Sequence, residues 1–159
     1  MRAKWLTRFL DRWLGYPNRF PDFLIGPEGN PYMERWWIIP RNKFFNIYLH
    51  NILHDDDDRA LHDHPWWSVS FCLHGDILEV YRKKGSWLEG KRCIGKGDIV
   101  FRNGADAHRL ELVTKEAKTL FITGPRFREW GFHCPQGWRP WFEFTKSGKP
   151  GQMGKGCGD

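Results

Sequence analysis

The chain of 159 residues has no long apolar run. None approaches the roughly 20 residues that a membrane-spanning helix needs. The N-terminus is basic but lacks an apolar stretch of about 7–15 residues of the kind that directs secretion. The sequence therefore reads as that of a soluble, cytoplasmic protein with no membrane partner. Cysteine is scarce, with Cys72, Cys93, Cys134 and Cys157 making up all four. They form no CxxC pair, which argues against a zinc ribbon, and they are too few for a dense disulfide framework. Free thiols in a reducing compartment are the expectation. No repeat of solenoid period is present.

Aromatic side chains are abundant instead. They make up 16 % of the chain, with ten Trp and twelve Phe. Rings of that size supply the apolar area that folding needs, which excludes a mainly disordered chain. The length suits one domain with short appendages and a core that needs no staples. Lys and Arg outnumber Asp and Glu by 25 to 19, a formal net charge of +6. A modestly basic surface favours anionic partners without naming one.

From Arg2 to Leu14, the residues Trp5, Leu6, Phe9, Leu10, Trp13 and Leu14 fall on one helical stripe, opposite Lys4, Arg8, Asp11 and Arg12. Gly15 and Pro17 stop this amphipathic helix. So short a helix needs tertiary support, so packing on the domain or on a second subunit is expected. A membrane surface is the alternative for a basic amphipathic helix. Pro17–Pro31 reads as a loop. Strands are expected at Arg35–Ile39, Lys43–Leu53, Trp66–Leu73, Asp76–Arg82, Lys91–Ile94, Asp98–Arg102, His108–Val113, Thr119–Thr123 and Trp141–Phe144. Many short strands imply an all-β sandwich or barrel rather than βαβ units. Residues 146–159 alternate Gly with Lys and polar residues and read as a flexible tail. The expected layout is helix and loop over 1–31, a barrel over 32–145, and the tail.

Seven histidines are present. His62 and His64 flank Asp63 in Leu61-His62-Asp63-His64-Pro65. Side chains two apart on a strand share a face, so both imidazoles can reach one cation at about 2.1 Å. Further on, a Gly-led strand and a second Gly turn, Gly97 to Gly104, precede His108. That arrangement can return a third ligand to the same interior.

These stretches resemble the two motifs of the cupin superfamily. His62–Gly75 is similar to the first, an HxH followed by a Glu and then a Gly. Gly97–His108 is similar to the second, a Gly-led strand and a tight turn before one His. The resemblance covers roughly residues 45 to 125 and implies a double-stranded β-helix, the cupin jelly roll. His-Asp-His-Pro-Trp after an Asp-rich run is also similar to small cupin-like proteins of bacteria and phages. Two departures matter. Ser68 stands where the first motif has its Glu, and Arg102 stands where the second has its Pro. One extra residue also separates Gly104 from His108.

The resemblance implies His62, His64 and His108 as metal ligands, with iron(II) favoured and zinc, nickel or manganese as alternatives. Three neutral imidazoles leave the 2+ charge of an ion uncancelled, so a small anionic substrate is expected. Three-His cupins similar to this one include iron dioxygenases. The expected activity is that of a metal-dependent enzyme, an iron-dependent oxygenase or a metal-assisted isomerase or lyase.

Two further residues are catalytic candidates. Arg102 can hold an anion bidentately, and it occupies a turn that in the resembling family faces the cavity mouth. His133 can line the pocket mouth as an acid or base, or simply pack. In the run Asp55–Asp58, Asp58 is the candidate for a carboxylate ligand replacing the missing Glu, although such runs are usually solvated loops. Asp63 should point away from its neighbours and act structurally, with Arg59 as a partner. His50, His54 and His74 lack ligand spacing and read as surface or packing residues, with His54 the exception to watch because it precedes the Asp run. Trp66, Trp67, Trp130, Phe132 and Trp138 read as core, with ligand stacking as the alternative. Two other function classes stay open. One is a non-catalytic ligand-binding cupin module, since fold does not fix function. The other is a nucleotide- or nucleic-acid-directed protein, motivated by Arg82-Lys83-Lys84 and Lys91-Arg92 but without a recognised motif. Cupins also imply a homodimer, for which the aromatic N-terminus would suit an interface.

Overall fold

Alternation of side chains along extended backbone decides which residues meet inside this protein. The computed structural model describes residues 20–56, 60–83, 85–147, 149, 152 and 154–158. The helix expected at Arg2–Leu14, together with Asp58 and Arg59, lies outside them. In chain order the strands are β1 (Phe23–Ile25), β2 (Met33–Trp37), β3 (Asn46–Ile52), β4 (Leu61–His62), β5 (Ser68–His74) and β6 (Asp76–Arg82). They continue as β7 (Gly90–Gly95), β8 (Ile99–Arg102), β9 (Ala107–Leu112), β10 (Ala117–Thr123), β11 (Gly131–Cys134) and β12 (Gly137–Pro140). One helical turn, α1 (Trp141–Phe144), follows.

The strands form two antiparallel sheets, ordered β1-β2-β3-β10-β5-β8 and β12-β11-β4-β9-β6-β7. His50, Ile52, Ser70, Cys72, Thr119 and Phe121 of the first sheet face a central cavity, as do Ile77, His108 and Leu110 of the second. Beside the cavity, Met33, Ile52, Cys72, Ile77, Ile94, Val100 and Ala117 close the two sheets on each other. The intervening residues Leu49, Leu73 and Leu120 turn the other way and cluster with Trp36. Leu61, Val80 and Ala107 form a smaller third cluster. The hairpin from β5 to β6 turns at Gly75, whose φ is +74°. A Cβ there would lie 2.2 Å from the Glu116 carbonyl oxygen, so only glycine fits. No helix among the described residues is long and apolar enough to cross a membrane.

Several expectations need correction. Trp141–Phe144 is helical rather than extended. Its aromatic run is fixed by packing, because Phe144 stacks on Phe132 with ring centroids 3.7 Å apart. The Pro17–Pro31 loop contains β1, which pairs with β2 through Phe23 opposite Arg35. The cysteines are not all free thiols, since Cys134 and Cys157 form a disulfide. Cys72 and Cys93 are the free pair. The bridge also corrects the expectation of a loose tail. The N–H groups of Gly154 and Gly156 donate to the Phe144 carbonyl, and Arg139 Nη1 donates to the Gly156 carbonyl at 2.9 Å. Glycine-rich composition marks backbone freedom, but these covalent and hydrogen-bonded anchors hold Gly154, Gly156 and Cys157 in place.

The bridge spans 23 residues of sequence. Cys157→Ser is expected to lower the unfolding free energy by about 3 kcal/mol through lost loop closure. Urea titration of the oxidised protein against the variant measures this. Coincident midpoints would mean that the bridge adds nothing to stability.

Candidate metal centre

β4 and β9 are neighbours, and His62 pairs directly with His108. His64 lies just past the end of β4, and its N–H donates to the Gly104 carbonyl at 2.8 Å. That close approach depends on glycine, since a Cβ at Gly104 would lie 2.8 Å from the His64 carbonyl oxygen. The three imidazoles therefore come from two adjacent strands and the segment leading out of one of them. Their ring centroids form a nearly equilateral triangle with sides of 5.1, 5.0 and 5.1 Å. One ring nitrogen from each lies within 4.8 Å of the others. His64 Nε2 and His108 Nε2 are 2.9 Å apart.

Each ring has its own support. His108 Nδ1–H donates to Glu79 Oε1 at 2.7 Å, which leaves Nε2 as the lone-pair nitrogen. His64 stacks on Trp66 and on Trp130, with centroids 6.1 and 6.4 Å away. His62 Nδ1 is buried with no hydrogen-bond partner, and Asp56 Oδ2 lies 3.9 Å from it. Burial, reinforced by the other two histidines and by Arg102, holds His64 well below the usual imidazole range. Burial, followed by the Arg102 charge, lowers His108 from 6.5 to about 4. Both are neutral at pH 7, as metal ligation requires. Converging ring nitrogens, the neutral His64 and His108, and the orphaned buried nitrogen of His62 together fit a divalent ion. Nitrogen-only donors suit iron, zinc or nickel better than magnesium or calcium.

The carboxylate behind His108 was not anticipated from the sequence. Glu79 is fully buried on β6. It accepts from Arg102 Nε at 2.5 Å and from Arg92 Nε, as well as from His108. Burial pushes its pKa up, but the His108 hydrogen bond and the Arg102 charge outweigh that and hold it well below the carboxylate range. The available signal was a lone acid at an inward position of an otherwise apolar strand, Ile77-Leu78-Glu79-Val80. Asp56 was overlooked beside Asp58. It lines the cavity near His62, and its Oδ2 accepts the Leu110 N–H at 2.7 Å.

Asp63 does point away from the histidines. It accepts from Gly131 N–H at 2.8 Å, Trp138 Nε1 at 3.1 Å and His133 Nε2 at 3.3 Å. Its cation is Arg128, at 3.0 Å. Arg128 Nη1 also donates to the carbonyls of His64 and Gly104, clamping the HxH segment from behind. His133 is not at the three-histidine cavity. Phe132 takes the inward position on β11, and His133 lines a separate cavity of about 600 Å³ with Asp63 and Trp138. Arg102 lies on β8 rather than in a turn, and it lines the main cavity. Its guanidinium is committed to Glu79 and to Ser70 Oγ at 3.2 Å. His54 bonds Asn30 at 2.7 Å, and His74 is exposed.

No protein-family model matches the chain, and no curated protein matches it. It is similar to solved structures. Against iron(II) HppE the TM-score is 0.54 at 18 % identity, covering 67 % of this chain and 57 % of that one. Against the hydroxypropylphosphonic acid epoxidase from S. wedmorenis it is 0.50 at 18 % identity, covering 66 % and 57 %. Against a variant of oxalate decarboxylase from Bacillus subtilis it is 0.51 at 14 % identity, covering 67 % and 29 %. The chain thus spans little more than half the length of the epoxidase structures. At these identities the likeness is one of fold, the two-sheet jelly-roll arrangement that the cupin resemblance implies.

Two measurements test this reading of the site. Glu79→Gln removes the charge that two arginines and His108 share. It should cost about 3–5 kcal/mol of stability, as breaking a buried pair does. It should also weaken metal affinity about 10–100-fold, because His108 loses its orienting acceptor. Unchanged affinity would detach Glu79 from the centre. The second concerns pH. His50, His64 and His108 are held neutral in the fold, mainly by burial, but have ordinary pKa values when unfolded. The unfolded chain therefore binds more protons below pH 6.5. Metal-free protein should lose stability steadily as pH falls from 6.5 towards 4, and a flat urea midpoint across that window would contradict it.

Proposed function

We propose that the protein is a metal-dependent cupin enzyme acting on a small anionic metabolite. His62, His64 and His108 hold one divalent ion, with iron(II) favoured. The observation that carries the reading is the convergence of three imidazoles on the wall of a cavity of about 510 Å³. The fold likeness to iron(II) HppE supports the coarse assignment, and the name of the S. wedmorenis epoxidase gives that protein an anionic substrate.

The residues around the cavity divide the work. Glu79 fixes the His108 tautomer, and the stacked Trp66 and Trp130 limit the rotation of His64. Phe132, Leu110 and Phe121 give the cavity dry walls, which strengthen every electrostatic contact inside it. Asp56 Oδ2 stands 3.9 Å from the orphaned His62 nitrogen and is held there by the Leu110 N–H. A bound ion would supply open coordination positions and Lewis acidity. With three neutral ligands its charge stays uncancelled, which favours a substrate bearing an anionic group. An oxygenase, or an isomerase or lyase working through a carbonyl, are the reaction classes that suit such a centre.

Purified protein should carry about one divalent ion per chain, and His62→Ala or His108→Ala should lose most of it. Elemental analysis by plasma mass spectrometry decides this. Equal metal content in wild type and both variants would overturn the ligand assignment.

A further inference from the structure

Charges inside the cavity do not all close on one another. Arg102 is tied to Glu79 and to Ser70 Oγ, which hold its guanidinium in place. Arg35 is in a different position. It lies on the inward face of β2 and lines the same cavity as the three histidines. Its Nε donates to His50 Nε2 at 2.9 Å. Its guanidinium carbon lies over the Tyr48 ring, 4.9 Å from the centroid. Neither partner carries a negative charge. Burial, with the Arg35 charge adding to it, holds His50 well below the imidazole range, so that ring is neutral. Burial draws Arg35 itself down to about 10, which still leaves a cation at neutral pH. Among the described residues Arg35 forms no ion pair with a carboxylate, and its two Nη groups have no hydrogen-bond partner.

A half-buried guanidinium on a cavity wall without a counter-ion favours a ligand that supplies the missing charge. Both Nη groups remain free for a two-pronged contact with an oxyanion. The charge also reaches the metal site, since Arg35 is among the groups that lower His64. Ile52, Leu110 and Phe121 give the cavity apolar walls, and Lys146 and Lys149 also line it, on the C-terminal segment. We propose that Arg35 is the anion-binding residue of the three-histidine cavity, receiving the carboxylate or phosphate head of a small substrate with an apolar body. This rests on the reading of the cavity as a substrate site. It assigns the anion to Arg35 on β2 and leaves Arg102 as the residue that positions Glu79. Tyr48 and His50 keep the guanidinium aimed by stacking and by the single hydrogen bond.

The test is calorimetric titration of the full chain with hexanoate, hexyl phosphate and the neutral hexanamide. It is run on zinc-loaded and on metal-stripped protein, with metal content measured on the same samples. Wild type should prefer one of the anions over hexanamide by about ten-fold or more, as charge-assisted hydrogen bonds give. The tighter anion identifies the head group. The preference should survive metal stripping and vanish in metal-stripped Arg35→Met, with zinc uptake by that variant unchanged. A preference retained in metal-stripped Arg35→Met, absent from wild type, or lost from wild type on stripping would overturn the assignment. Failure of wild type to take up zinc with the anion preference intact would overturn only the metal reading. Should Arg35→Met not fold, wild type treated with phenylglyoxal gives the answer. Hexanoate or hexyl phosphate should protect Arg35 from modification, mapped by peptide mass spectrometry. Modification unaffected by either anion would refute the proposal.

Discussion

Glu79 accepts from His108 within its own sheet and from Arg102 in the facing one, and the interior is arranged around that fully buried carboxylate. A lone carboxylate at this depth would take up a proton or destabilise the fold by several kcal/mol. With Arg102, Arg92 and His108 around it, the ionised form is the stable one. The consequence passes outward in two directions. Across the gap, β6 is tied to β8, so the two sheets are joined by charge as well as by apolar packing. Within the second sheet, one imidazole is fixed in tautomer and direction. Stability and site geometry therefore depend on the same atoms.

A second acid does comparable work behind the HxH segment. Asp63 faces away from the cavity and gathers Gly131, Trp138, His133 and Arg128 around its carboxylate. Arg128 then reaches the His64 and Gly104 carbonyls. The segment between β4 and β5 is thereby pinned by side chains as well as by backbone bonds such as that from the His64 N–H to the Gly104 carbonyl. The two histidines of the pair differ for this reason. His62 is placed by strand pairing with His108 and Phe132, whereas His64 is placed by a clamp and by stacked indoles.

Much of this was legible because period-two patterning is local. β6 runs from Asp76 to Arg82 as the alternation implies, and the other long central strands shift by only a few residues. The HxH spacing likewise required only that residues two apart share a face. What pattern cannot give is the neighbour across a sheet. That Glu79 would meet His108 and Arg102 depends on β6 lying beside β9 and opposite β8, which no single segment encodes. The β11–β12 hairpin was not among the expected strands, and its first strand pairs with β4 through Phe132 and His133. The partnership of Cys134 with Cys157 was equally hidden, since no local pattern pairs residues 23 apart. Arg35 lay within an expected strand, but only the cavity shows its charge to lack a partner.

Burial of the histidines has a consequence for metal binding that exposure would remove. An imidazole with an ordinary pKa is substantially protonated just below neutral pH, and each proton must leave before an ion binds. In this cavity desolvation has already excluded the proton from His64 and His108. Part of the cost of dehydrating those rings is thus met during folding rather than at binding. The Glu79 hydrogen bond acts the other way on His108, raising its proton affinity while orienting it. The balance favours the neutral ring because burial outweighs that bond, and Arg102, drawn in by the same carboxylate, adds a repelling charge. One acid thus aligns His108 as a ligand while the cation it recruits helps keep that ligand free of its competing proton.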